Sequence, residues 1–289
     1  MVTGSAEAEL IAVLTAVTEA QPKVMTVGAG QALPSGPFVS SHRSLQAGLR
    51  DWIERQTGHP VGFLEQLYTF ADRDRDPDLP ESSRRISISY LGLVHEQAAP
   101  GSEQPEWHGW YEYFPWEDHR KGAPAPLAEI IAALLAWAGS DPHRRQRVTH
   151  AFGLGSVGWD EDLVLQRYEL MYEAGISEGF GRAMRGDHRR ILATAMARLR
   201  AKIKYRAVAF ELMPESFTLV HLQRVVEAMI GMGLHKSNFR RQIDQQNLIE
   251  ETGEMDQEGR GRPAMLYRYR AEVLEARALA GTRLPISRN

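Results

Sequence analysis

The chain has 289 residues, 43% hydrophobic and 25% charged, a balance that excludes collagen-like, low-complexity and wholly disordered chains and leaves room for two domains. It has no cysteine, which excludes disulfides and thiolate metal sites, and it shows neither a signal-peptide pattern nor an apolar run of about 18 residues, so a cytoplasmic protein is expected. The net charge of −3 is unevenly spread: residues 201–289 carry 14 Lys and Arg against 11 Asp and Glu, the remainder 20 against 26. Nucleic acid is therefore open as a partner at the C-terminal end, where so modest an excess would have to rely on a dimer for affinity.

Taken in order, residues 1–9 are expected to be unstructured. Leu10 to Glu19 and Lys23 to Val27 are two adjacent strands joined by a turn around Gln21-Pro22. After Leu33-Pro34-Ser35-Gly36-Pro37-Phe38 comes an amphipathic helix from about Ser44 to Thr57, with Leu45, Leu49, Trp52 and Ile53 inward and Gly58 as its stop. Leu64 to Phe70 and Arg85 to Val94 are further strands, separated by a charged loop that begins Asp72-Arg73-Asp74. Trp107, Trp110, Tyr111, Tyr113, Phe114 and Trp116 form the densest aromatic cluster and suit a core or dimer interface. Helices follow at Leu127 to Trp137, Glu161 to Ala174 and Asp187 to about Lys204, then a short one from Ala271 to Leu279. His108, His119, His143, His150 and His188 show no paired metal-ligand spacing, so no metal is assigned.

The stretch from Phe210 to Arg270 has the layout of a DNA-binding winged helix. Thr218 can cap a helix whose apolar residues Leu222, Val225, Val226, Met229 and Ile230 recur on one face, and Gly231 and Gly233 break it. A short turn leads to a second helix, about Lys236 to Gln246, with Phe239 and Ile243 inward. Lys236, Ser237, Asn238, Arg240, Arg241 and Gln242 are the candidate recognition residues, suited to phosphate contact and base-edge readout. Leu248 to Gly253 and Ala264 to Tyr269 read as strands around a Gly-Arg-Gly-Arg-Pro tip, where Arg260 and Arg262 are the candidate wing contacts.

Two stretches resemble a known family. Leu33 to Phe38 followed by the helix ending Arg50-Asp51-Trp52-Ile53-Glu54-Arg55-Gln56-Thr57-Gly58 looks like a worn Nudix box. Asp187-His188-Arg189-Arg190-Ile191 through Phe210-Glu211-Leu212-Met213-Pro214, with Asn238-Phe239-Arg240-Arg241 and Gly261-Arg262-Pro263-Ala264, resembles the C-terminal part of the NrtR-type, Nudix-related repressors of NAD metabolism. Tyr68-Thr69-Phe70-Ala71-Asp72 and the segment from Trp159 to Leu170 look closest to the NadQ type.

The resemblance implies an α+β protein in three parts: a Nudix-like α/β sandwich sensor over residues 1–120, a helical extension and linker with a possible dimer interface over 121–205, and a winged helix-turn-helix over 206–289. Counted from Gly36, His42 stands where the box has its first Glu, Arg50 falls in place, Asp51 replaces a second Glu, Glu54 matches, Arg55 replaces the next Glu, and Gly58 arrives one position late. Metal-dependent hydrolysis needs several carboxylates on one helical face, so a catalytically degenerate sensor is expected rather than an enzyme. It implies no required cofactor, but a nucleotide effector (NAD, ADP-ribose or ATP), with Arg50, Arg55, Phe70, Asp72, Arg73, Arg84 and Arg85 as candidate contacts. The expected protein is a homodimeric repressor of NAD biosynthesis genes on a palindromic operator. The alternative is a Nudix hydrolase of ADP-ribose or a related dinucleotide.

Overall fold

The computed structural model describes residues 5–58, 61, 64–72, 83–94, 106–205, 207–256 and 263–270. Strands β1 (Ser5–Thr18), β2 (Gln21–Thr26), β3 (Ser35–Pro37), β4 (Glu65–Phe70), β5 (Ser83–Leu93) and β6 (Glu106–Gly109) form one six-stranded sheet, ordered β4-β5-β1-β2-β6 with β3 also against β1. It is mixed: β1 runs parallel to β5 and antiparallel to β2 and β3. The expectation that residues 1–9 lack structure is corrected for Ser5 to Glu9, which extend β1 and pair with residues 83–87 of β5. Backbone pairing supplies there what the sequence pattern, short of large apolar residues, does not advertise.

Side chains alternate across β1 and divide the surroundings into two cores. Leu10, Ala12 and Leu14 face helix α1 (Leu45–Thr57) with its Leu49 and Ile53, while Ile11 and Val13 face a much larger cluster with Val24, Phe70 and Leu91. Ser44 caps α1, its hydroxyl accepting from the Ala47 amide at 3.1 Å, and Gly58 ends it at φ 66°. Trp52 is half-buried and lies over Gly36, donating its indole N–H to the Pro37 carbonyl at 3.0 Å. This leaves no room for a side chain at Gly36.

The second face is covered by α2 (Trp110–Tyr113), α6 (His188–Tyr205) and α7 (Leu219–Ile230), and α3 (Leu127–Ala138), α4 (Pro142–Ala151) and α5 (Val164–Glu173) pack on one another, with α5 against α6. Trp110, Tyr113, Phe114 and Trp116 are fully buried, so these four members of the aromatic cluster are core. Helix α6 buries Ile191, Leu192, Met196, Leu199 and Ile203 in the same apolar cluster that holds Leu222, Val226 and Met229 of α7. Each such side chain contributes roughly 1.5–3 kcal/mol. Helix α4 was not anticipated. The helix expected at Ala271 to Leu279 lies outside the described residues, as does the charged loop beyond Asp72.

The C-terminal part consists of α7, α8 (Lys236–Gln246), β7 (Ile249–Asp256) and β8 (Ala264–Tyr269). Thr218 caps α7, accepting from the His221 amide at 3.1 Å. Gly231 ends α7 at φ 73°, and a Cβ there would lie 2.3 Å from the Glu117 carbonyl oxygen. Both the dihedral and the space demand glycine. Gly231→Ala is expected to cost more than about 1 kcal/mol, read as a lower urea midpoint with an unchanged slope.

Candidate nucleic-acid interface and effector region

The turn between α7 and α8 is held by side chains of α7. Glu227 accepts from the Leu234 amide at 2.8 Å, and Gln223 donates to the Leu234 carbonyl at 3.0 Å and to Glu227 at 2.9 Å. The sequence therefore fixes the angle between the two helices locally. Phe239 and Ile243 anchor α8 in the core, at 7% and 2% exposure. A residue two places away lies roughly 200° round the helix, so Ser237, Arg241 and Gln245 project on the far side. Lys236, Ser237, Arg240 and Arg241 are exposed; Asn238 and Gln242 are half-buried beside them. The Asn238 side-chain oxygen accepts from Arg241 at 3.4 Å. His235, unmarked in the sequence reading, precedes α8 and lies 2.9 Å from the Ser237 hydroxyl through Nδ1.

Asn247, at φ 51°, ends α8 and turns the chain into β7, which pairs antiparallel with β8 from Ile249↔Tyr269 to Asp256↔Ala264. Phe217 exchanges two backbone hydrogen bonds with Tyr267, at 2.9 and 2.8 Å, and so ties the hairpin to the start of α7. Phe210 stacks on Tyr269 with centroids 4.4 Å apart. Arg260 and Arg262, the expected wing contacts, lie outside the described residues.

The expected effector contacts are split across the sheet. Arg50 and Arg55 sit on α1: Arg50 Nε donates to the Val61 carbonyl at 3.3 Å, and Arg55 pairs weakly with Asp51 at 3.9 Å and lies over the Trp52 ring at 5.6 Å. Asp51 and Glu54, the remaining box carboxylates, are exposed on that helix. Phe70 points to the opposite face, at 2% exposure in the large core, so its ring is not offered to solvent. Arg190 of α6 covers it, with the guanidinium 5.6 Å from the ring centroid, and pairs with Asp72 at 2.8 Å and Glu169 at 2.7 Å. The register Phe70↔Ser87 carries Arg85 toward the Asp72 end of β4, and the Arg84 backbone pairs with Ala6. Arg73 lies outside the described residues. Among the described residues no group of three or more His, Cys, Asp or Glu could hold a metal ion, and no helix is long and apolar enough to cross a membrane.

Sequence reasoning missed a buried ionic cluster in the middle of the chain. Glu117, with no exposed side-chain surface, takes Arg167 on both oxygens at 2.6 and 2.8 Å and Arg200 at 2.6 Å. Burial pushes its carboxyl up, and the two guanidiniums outweigh that and hold it below the usual carboxylate range. Two cations against one anion leave an excess of positive charge. Backbone carbonyls answer it: Ala151 and Asp160 accept from Arg167, and Glu161 and Met229 from Arg200. Nothing in the local pattern of Arg167 or Arg200 marked them as buried.

A helix pair with an exposed basic face, closed by a hairpin and packed on a mixed sheet covered by helices, gives a winged helix joined to an α/β sheet domain. Residues 209–269 match the NrtR DNA-binding winged helix domain, and the C-terminal part is of that type. The chain is 42% identical over 83 residues to the ADPR responsive transcriptional repressor NtrR of Acinetobacter baylyi; the match spans 29% of this chain and 33% of the relative. Its fold is that of Shewanella oneidensis NrtR solved with a 27mer DNA, at TM-score 0.56 and 21% identity over 92% of this chain and 95% of the other. A MutT/nudix family protein from Enterococcus faecalis shares it at TM-score 0.55 and 18% identity, over 92% and 87%. The resemblance to NrtR-type proteins in the sequence is thus borne out.

Proposed function

We propose that the protein is a DNA-binding transcriptional repressor of NAD biosynthesis genes, controlled by a nucleotide bound to its Nudix-like part. The carrying observation is the exposed face of α8, with Lys236, Ser237, Arg240 and Arg241 turned outward by the buried Phe239 and Ile243, inside a segment matching the NrtR winged helix domain. ADP-ribose is the first effector to test, because the Acinetobacter relative is described as responding to it; NAD and ATP follow. A cytoplasmic homodimer would present two α8 helices to a palindromic operator, with one half-site for each. The division at residues 120 and 205 and the NadQ-type assignment complete the reading.

The test is a mobility-shift titration of the promoter of a de novo NAD biosynthesis operon, alone and with ADP-ribose, NAD or ATP. A specific shift changed by one nucleotide supports both assignments and gives the sign of regulation. Absence of any shift at low salt sinks the repressor reading. Asp51 and Glu54 on the open side of α1 keep the hydrolase alternative in the test; magnesium-dependent release of phosphate products from ADP-ribose would favour it. For the wing, Arg262→Ala is expected to weaken operator binding and to reduce the salt slope by about one counterion, measured by titration at several salt concentrations.

A further inference from the structure

Helix α7 ends in carbonyl groups that the helix itself leaves unpaired, at the negative end of its dipole. Donors from outside the winged helix take three carbonyls at this end. The Tyr111 hydroxyl donates to Ala228 at 2.6 Å, Arg200 Nε to Met229 at 3.1 Å, and the His119 amide to Gly231 at 2.7 Å. The donors are themselves joined. Arg200 Nη2 lies 3.5 Å from the Tyr111 hydroxyl, and Arg200 is fixed on Glu117 at 2.6 Å. Burial pushes the Tyr111 phenol up, so it stays protonated and a donor.

The same segment, residues 106–120, is anchored at its other end near the Nudix-like box. Strand β6 lies on the sheet edge beside β2. Tyr113 donates its hydroxyl to the Gly30 carbonyl at 2.7 Å. Arg182 bonds the Ala29 carbonyl and the Glu112 carboxylate, which also takes the Gly109 amide at 2.8 Å. The loop of residues 27–33 held in this way runs straight into β3, whose Gly36 lies beneath Trp52 of α1. One side of the unit thus grips the loop that leads to α1, and the other grips the first DNA-binding helix.

We propose that residues 106–120, with Tyr111 as the positioning residue, set the orientation of α7 and α8 relative to the sensor sheet and carry the effector's signal to them. The inference rests on the repressor reading for its effector arm. The observations place one hydrogen-bonded unit in contact with both parts of the chain; the coupling through it is what the experiment reads.

The experiment is Tyr111→Phe in the full chain, which keeps the ring and removes the hydroxyl. Amide hydrogen exchange is compared first in the free proteins, then with ADP-ribose added, alongside operator titrations with and without ADP-ribose. In the free variant, exchange at residues 228–233 is expected to speed up at least tenfold while α1 is unchanged, and operator affinity without effector is the baseline against which the effector's influence is read. With ADP-ribose, protection around α1 persists, and the effector's influence on operator affinity falls at least fivefold. Unchanged exchange at residues 228–233 overturns the anchor; faster exchange with full effector response overturns its role in signalling. If ADP-ribose changes neither exchange nor DNA binding in the parent protein, the effector reading and the signalling role fall together, and the free-protein comparison still decides the anchor.

Discussion

Glu117→Gln is expected to destabilise the protein by about 3–5 kcal/mol, because it leaves Arg167 and Arg200 buried with no carboxylate between them. Glutamine keeps the shape, but it offers one acceptor oxygen where the carboxylate gives two, and its amide nitrogen turns a donor toward a guanidinium. Carbonyl groups around the two arginines accept hydrogen bonds without neutralising charge. The loss corresponds to a melting temperature lower by on the order of 10 °C, measurable by calorimetry or by urea unfolding. A change within 1 kcal/mol would show that the carbonyls alone hold both cations. The cluster also sets an acid limit. The folded-state pKa of Glu117 is depressed below the ordinary 4.5, so its stabilisation is fully present above that value and is lost as pH falls through the folded value. Stability measured from pH 6 downward should fall along that line in the parent protein, and less steeply in Glu117→Gln.

Arg241→Ala is expected to weaken specific operator binding by about 1–3 kcal/mol, roughly 5- to 150-fold, while binding to unrelated DNA changes much less. Arg241 lies on the side of α8 opposite Phe239 and is exposed, so its loss creates no cavity and should leave folding intact. Its partner Asn238 sits within 3.4 Å, which pre-sets the guanidinium instead of leaving it fully mobile. Parallel titrations on operator and scrambled DNA separate the two contributions. An equal loss on both would make Arg241 a phosphate contact; no loss on either would remove this face of α8 from the interface.

Local pattern made part of this structure legible before any coordinates. Alternation along β1, the apolar spacing of α7 and the buried pair Phe239 and Ile243 each repeat over several residues, and burial followed them. The exposed face of α8 was legible for the same reason, as what remains once the inward stripe is removed. Helix α4 was not, because only Val148 and Ala151 are buried in ten residues; the signal present was Asp141 before Pro142, a capping pair. The long-range contacts of the buried ionic cluster were invisible. Glu117 meets Arg167 fifty residues on and Arg200 eighty-three residues on, and charged side chains in helices look solvated until the fold encloses them. Phe70 illustrates the opposite case: its motif placed it among effector contacts, and the sheet turned it into the core under Arg190.

Helix α7 rests on β1 and β2 of the sheet and shares one apolar cluster with α6. This makes the reader a poor candidate for transplantation. A chimera that joins residues 209–269 to a foreign receptor would strip α7 of its packing face and of the donors at Ala228, Met229 and Gly231. A working graft would have to bring Tyr111, His119 and Arg200 with it, because a cut at residue 205 severs these hydrogen bonds. The open face of α8 can vary without disturbing this packing, whereas the helix beneath it cannot be exchanged without rebuilding the sheet.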